Sequence, residues 1–171
     1  MVPVVRRHLE GDGYRVYENP DGSDYFDLAA RRDGEVGLVE LKLDRDAVVL
    51  YQALRRRAWG DWVAVALASE RAARRLAERP SSEARASIGV WWVKGDGVEV
   101  LRPALRWGRA SDTPVLSAAR AQFEEWLDRV DRGEIPPGVR WEGLQREVGR
   151  LSQGRRFREW TLEEASGREQ R

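Results

Sequence analysis

The feature that most restricts this fold is an Asp-Gly pair, Asp33-Gly34, set between two β-prone runs at 25–31 and 36–43. Both central residues of a type I′ hairpin turn need positive φ, which Gly adopts at no steric cost and Asp tolerates. The pair therefore predicts an antiparallel hairpin, and the turn fixes its register. With Arg32 opposite Glu35, paired residue numbers sum to 67, so Asp27 falls opposite Glu40. Directly opposed side chains share a face, with Cβ atoms about 4.5–5.5 Å apart. Glu40 and Lys42, two apart on one strand, share that face as well. Two opposed carboxylates repel unless something positive lies between them, and a divalent cation is the simplest answer. The bland alternative is an exposed strand face with solvated charges. The apolar neighbours Phe26, Leu28, Val39 and Leu41 argue for burial instead.

Either side of the hairpin, helix-like and strand-like stretches alternate. Val4, Val5 and Leu9 have near-helical spacing over 4–11, closed by Gly11 and Gly13, and 14–17 reads as a short strand before a loop at 19–23. Residues 46–59 read as a helix, with Asp44 and Asp46 suited to its N-terminus and Arg55, Arg56 and Arg57 to its C-terminus. The continuous apolar run 62–68 suits a strand covered on both faces. Ser69 can cap a helix that Pro80 ends, followed by strands at 87–93 and 98–101 around a Gly-rich turn. The order α-β-β-β-α-β-α-β-β predicts an α/β fold, a mixed β-sheet flanked by helices, over residues 1–103. Residues 104–171 read as a helical extension that packs on the core or mediates association. Its first helix spans 114–131, with Leu116, Ala119, Phe123, Trp126, Leu127 and Val130 on one face. Trp141, Leu144, Val148 and Leu151 mark a second helix.

Composition excludes several function classes. With no Cys there is neither a disulfide framework nor a thiolate metal site. No apolar run approaches the roughly 18 residues of a membrane helix, and the N-terminus lacks the order of a signal peptide. A soluble, cytoplasmic protein with no membrane partner is the expectation. Net charge is only +1, so the bulk charge does not point to a polyanion. The cations are 28 Arg and two Lys, which makes the place of Lys42 worth explaining.

Hard carboxylate oxygens suit Mg²⁺, with Mn²⁺ expected to substitute, because Mg²⁺ keeps several waters and completes its shell with substrate phosphate. A metal-activated water would then hydrolyse a phosphodiester, with Lys42 positioning that water and offsetting developing charge. Arg would serve poorly there, being bulkier and unable to shed its proton.

The stretch from Asp27 through Asp33-Gly34 to Glu40-Leu41-Lys42, together with the order of elements over about residues 2–103, resembles the PD-(D/E)XK nuclease superfamily. The resemblance implies a restriction-endonuclease-like core. It also implies metal binding by Asp27, Glu40 and the backbone carbonyl of Leu41, and catalytic assistance from Lys42. Many members carry a Gln on the next helix, which here falls on Gln52. An acidic residue on the first helix often completes the metal shell, and Glu10 is the candidate, with His8 nearby. Asp27 departs from the pattern in following Phe26 rather than Pro.

From Arg55 to Arg85, eight Arg face four acids, a local excess that suits phosphate contacts. Arg55 and especially Arg56, expected on one helical face with Gln52 and Trp59, are the candidate nucleic-acid contacts; Leu50, Leu54 and Ala58 are expected to form the buried stripe. The leading expectation is a Mg²⁺-dependent endonuclease acting on nucleic acid, with DNA favoured. Double-strand cutting would favour a symmetric homodimer. The alternative is a non-catalytic nucleic-acid-binding or assembly module on the same fold. A third reading, a structural interaction protein that works through its Trp-bearing tail, has no specific support.

Overall fold

Six strands form one mixed sheet in chain order, and helices cover it. The structure is a computed structural model and describes residues 1–19, 26–44, 49–78, 83–107 and 114–136, all within the compact unit Met1–Trp141. Helix α1 (Val2–Gly11) leads into β1 (Arg15–Glu18), β2 (Leu28–Arg32) and β3 (Glu35–Lys42), paired as an antiparallel meander. The β2–β3 register runs from Arg32↔Glu35 to Leu28↔Val39, as the turn chemistry predicts. Asp33 and Gly34 carry the two positive φ values, 51° and 77°, of the type I′ turn.

After β3 the chain crosses over through α2 (Val49–Arg55) and a 3₁₀ turn, Arg56–Ala58, into β4 (Trp62–Leu67), parallel to β3. A second crossover through α3 (Glu70–Glu78) and the short α4 (Glu83–Ala86) reaches β5 (Gly89–Lys94), parallel to β4. The Ser69 hydroxyl accepts the Ala72 N–H at 3.3 Å, the N-cap foreseen for α3. Strand β6 (Gly97–Arg102) closes the sheet antiparallel to β5. Helix α5 (Pro114–Asp131) has the bounds that its periodicity gives. The second helix expected around Trp141–Leu151, and the loop at 20–23, lie outside the described residues. No helix among the described residues is long and apolar enough to cross a membrane.

Alternation along the strands builds a core on each face of the sheet. On one face Leu28, Ala30, Val39, Ala64, Ala66, Trp91 and Val93 pack with Val5 and Leu9 of α1. Here Gly37 lies against Trp62, its parallel partner, so closely that a Cβ would come 1.9 Å from the indole ring. On the other face β3 turns Val36, Leu38, Glu40 and Lys42 toward the side covered by α2, α3 and α5.

Helix α5 buries Ala119, Phe123 and Leu127, while Leu116, Trp126 and Val130 stay half-buried. Several side chains fasten it. Phe123 meets Phe26 edge-on at 5.3 Å. The Tyr17 hydroxyl donates to Asp131 at 2.8 Å. The buried Arg120 donates to Asp61 Oδ1 at 2.9 Å and to the Gly60 and Arg57 carbonyls at 3.1 and 3.2 Å. Asp61 Oδ2 accepts the Val36 N–H at 2.8 Å. This network locks the 3₁₀ turn and the entrance of β4 onto the sheet.

Candidate active site

Asp27 sits one residue before β2, at the last grip of the hairpin. Its N–H donates to the Val39 carbonyl at 3.2 Å, and its Oδ2 accepts the Leu41 N–H at 2.5 Å. The printed ladder ends at Leu28↔Val39, so Asp27 lies alongside residues 39–41 through these two bonds rather than through a further regular pair. Glu40 is buried on the same face. Its Oε1 is 3.1 Å from Lys42 Nζ, and its Oε2 is 3.5 Å from Arg56 Nη2. Side-chain exposure is 6% for Glu40, 5% for Arg56 and 27% for Lys42, so the cluster meets solvent on the lysine side. Lys42 ends β3, and the next residue, Leu43, is exposed. The charged groups thus gather at the carboxyl end of a strand in a parallel pair, the usual position for ligands in open α/β sheets.

Burial dominates the electrostatics. It pushes the Asp27 carboxyl above the ordinary range, and the neighbouring Glu40 charge pushes the same way. The Leu41 N–H, Lys42 and Arg56 pull against them. Burial also lowers the Arg56 guanidinium, against the attraction of Glu40. The burial of Glu40 and Arg56 excludes a solvated strand face for these two side chains.

The backbone of Leu41 also faces the site. In a strand the N–H and C=O of one residue point to the same edge, and successive residues alternate. Leu41 gives its N–H to Asp27, while the Lys42 carbonyl accepts from Ala68 on the β4 side. The Leu41 carbonyl therefore points toward Asp27, beyond the end of the β2 pairing.

The remaining candidates divide. Gln52 lies half-buried on α2. Its buried Oε1 has no hydrogen-bond donor, and it bonds to none of Asp27, Glu40 or Lys42. Arg55 ends α2, half-buried, close enough to lower Arg56 by like charge. Arg56 is brought to the site, but as a buried counter-ion of Glu40 rather than on an exposed helical face. The α-helix gives way to a 3₁₀ turn at Arg56, and the buried positions are Val49, Ala53, Arg56 and Ala58, with Leu50 and Leu54 only half-buried. The sequence carried that signal: Val49, Ala53 and Arg56 have i, i+4, i+7 spacing. The two outlying candidates on α1 have other engagements. Glu10 is paired with Arg6 at 2.8 Å, and His8 stands edge-on to Trp91 at 5.4 Å on the α1 face. Among the described residues no group of three or more His, Cys, Asp or Glu gathers as a metal cage.

Two open cavities lie elsewhere. One, of about 330 Å³, is lined by His8, Tyr14, Trp62, Trp91, Glu35 and Arg106 on the α1 face. The other, of about 450 Å³, runs between α1, β1 and α5. In the first, the buried Glu35 carboxylate is already neutralised by Arg106 and reached by the Tyr14 hydroxyl at 3.4 Å. Neither Asp27 nor Glu40 lines either of these hollows.

No family model matches the chain, and neither a curated protein nor a solved structure matches it significantly.

Proposed function

We propose that this chain is a Mg²⁺-dependent nuclease with a restriction-endonuclease-like core, hydrolysing phosphodiesters of nucleic acid, with DNA as the favoured substrate. The observation that carries the reading is the convergence of the buried Glu40 and the half-buried Asp27 on one face, with Lys42 3.1 Å from Glu40. Folded proteins do not gather like charges in a dry place without a use or a counter-charge.

The residues fit a hard dication. Glu40 Oε2 is buried without a hydrogen-bond donor, and the raised Asp27 carboxyl marks a place where added positive charge is favourable. Asp27, Glu40 and the Leu41 carbonyl would hold the ion, a sparse set that suits Mg²⁺ with its retained waters. When bound, Mg²⁺ supplies polarisation of the phosphoryl group and a more acidic water. The chain supplies the rest. The Leu41 N–H fixes the Asp27 carboxylate, and the Lys42 ammonium stands beside Glu40 on the solvent side to meet charge that develops on the phosphate.

One observation favours a second reading, a non-catalytic nucleic-acid-binding module. Lys42 and Arg56 both pair with Glu40, so the charges are also consistent with an internal ion network. Cleavage of labelled single-stranded, double-stranded and branched DNA in Mg²⁺ or Mn²⁺ separates the two. Metal-dependent cutting that disappears in Lys42→Ala and Asp27→Ala supports the nuclease. DNA binding without turnover supports the module, and cutting that survives both substitutions places the active site elsewhere.

A further inference from the structure

Asp27 and Glu40 bring two formal negative charges to the site, and Lys42 and Arg56 bring two positive ones. The cluster is electrically neutral. A dication is drawn to a carboxylate pair by charge as well as by ligation, so two resident cations at ion-pair distance from one of its ligands oppose its entry. Burial of Glu40 and Arg56 removes most of the screening that water and salt would provide.

The bonding of Arg56 sets it apart from the other arginines that reach into the interior. Arg102 donates to four backbone carbonyls, those of Ile88, Leu76, Ala77 and Arg85, at 2.9–3.2 Å. Arg120 binds Asp61 and two carbonyls over the same range. The buried Nε of Arg120 and of Arg56 alike lacks an acceptor, but both terminal nitrogens of Arg120 donate, whereas Arg56 stands 3.5 Å from a single carboxylate oxygen. A guanidinium kept for architecture engages most of its rigid fork of donors. Arg56 contributes mainly charge.

We infer that Lys42 and Arg56 act as a charge brake on the metal site. They neutralise the carboxylate pair in the free protein, so that a divalent cation binds weakly until an anionic phosphodiester restores negative charge. The inference rests on the metal-dependent reading above and adds regulation to it: cation and nucleic acid must each tighten the other by the same factor. Arg56 is in this scheme a positioning residue, acting through Glu40.

The test is Mn²⁺ binding to the free protein, read from the loss of the free-ion paramagnetic resonance signal in mildly alkaline, low-salt buffer. Arg56→Gln and Lys42→Gln each leave the cluster with net negative charge and are expected to bind Mn²⁺ at least about tenfold more tightly than wild type. Asp27→Asn should bind more weakly than wild type. Seen from the other side, Mn²⁺ should tighten binding of a labelled oligonucleotide, read by stopped-flow anisotropy before turnover, by a larger factor in wild type than in Arg56→Gln. Affinity unchanged or lowered in both glutamine variants would overturn the brake. If circular dichroism shows Arg56→Gln unfolded, the part-exposed Lys42→Gln carries the test alone. Mn²⁺ binding that follows these predictions in a protein that never cuts DNA keeps the brake and removes the nuclease. No Mn²⁺ binding by wild type or either glutamine variant removes both.

Discussion

Two buried ion clusters sit on the same face of this sheet, a few residues apart in sequence, and they are built on opposite principles. Around Asp61 both carboxylate oxygens are met. The carboxylate takes the Val36 N–H and the Arg120 guanidinium, and Arg120 spends its remaining reach on two carbonyls. Around Glu40 one carboxylate oxygen lacks a hydrogen bond, the guanidinium lies at 3.5 Å, and a second carboxyl is held close by. The first arrangement minimises the cost of burying charge, whereas the second leaves part of that cost standing. The difference separates a cluster that holds the fold from the one on which the proposed function rests.

The sharpest break between them is functional. Lys42→Ala should lower the cleavage rate by at least about a hundredfold while leaving the melting temperature nearly unchanged, because a single electrostatic donor contributes on that scale to a charged transition state. Turnover kinetics beside a thermal melt check both halves. The converse holds at Asp61: Arg120→Ala should cost about 3–5 kcal/mol in urea unfolding, by stranding a buried carboxylate and loosening α5. Gly37→Ala, on the opposite face of the sheet, should cost about 1–3 kcal/mol, because the added methyl displaces the Trp62 ring. Its effect should appear in the near-ultraviolet dichroism of the tryptophans.

Asp27→Asn sharpens the comparison through its sign. The folded-state pKa of Asp27 is raised, so its favourable contribution is fully present below the ordinary carboxylate value of about 4 and is lost as pH rises through the raised one. At neutral pH the ionised group is a burden on the metal-free protein. The asparagine variant should therefore be more stable there, by about 1 kcal/mol, and inactive. Urea melts across that pH range should show the gain appearing as pH rises; a loss of stability at neutral pH would place Asp27 with the structural cluster. The smallest effect is expected at Tyr17, whose hydroxyl is pushed up to about 12 by burial and by Asp131. Tyr17→Phe should cost about 1 kcal/mol, and the wild-type advantage should fade in alkali between about 10 and 12.

Local chemistry made much of this legible beforehand. A two-residue turn with one allowed geometry set the β2–β3 register, and unbroken periodicity set the limits of α5. The proximity of Asp27, Glu40 and Lys42 followed from that register, except that Asp27 engages the Leu41 N–H in place of a regular ladder pair. The side of α2 that is buried was not legible in the same way. Apolar Leu50 and Leu54 suggested a stripe, yet the helix turns Val49, Ala53 and Arg56 inward, because a buried carboxylate on the facing strand attracts a guanidinium. Nor does sequence spacing reveal the tie between Arg120 and Asp61, 59 residues apart. Long-range ion pairs leave no periodic trace.

The contact between Phe26 and Phe123 has a consequence in time. The residue just before Asp27 packs against a helix made almost a hundred positions later. A ribosome that has released β1 through β6 has already produced the four charged residues of the candidate site, but neither the Phe123 ring nor the Arg120 guanidinium that steadies the 3₁₀ turn beneath Arg56. During synthesis the letters of the site are written well before the helix that packs beside Phe26.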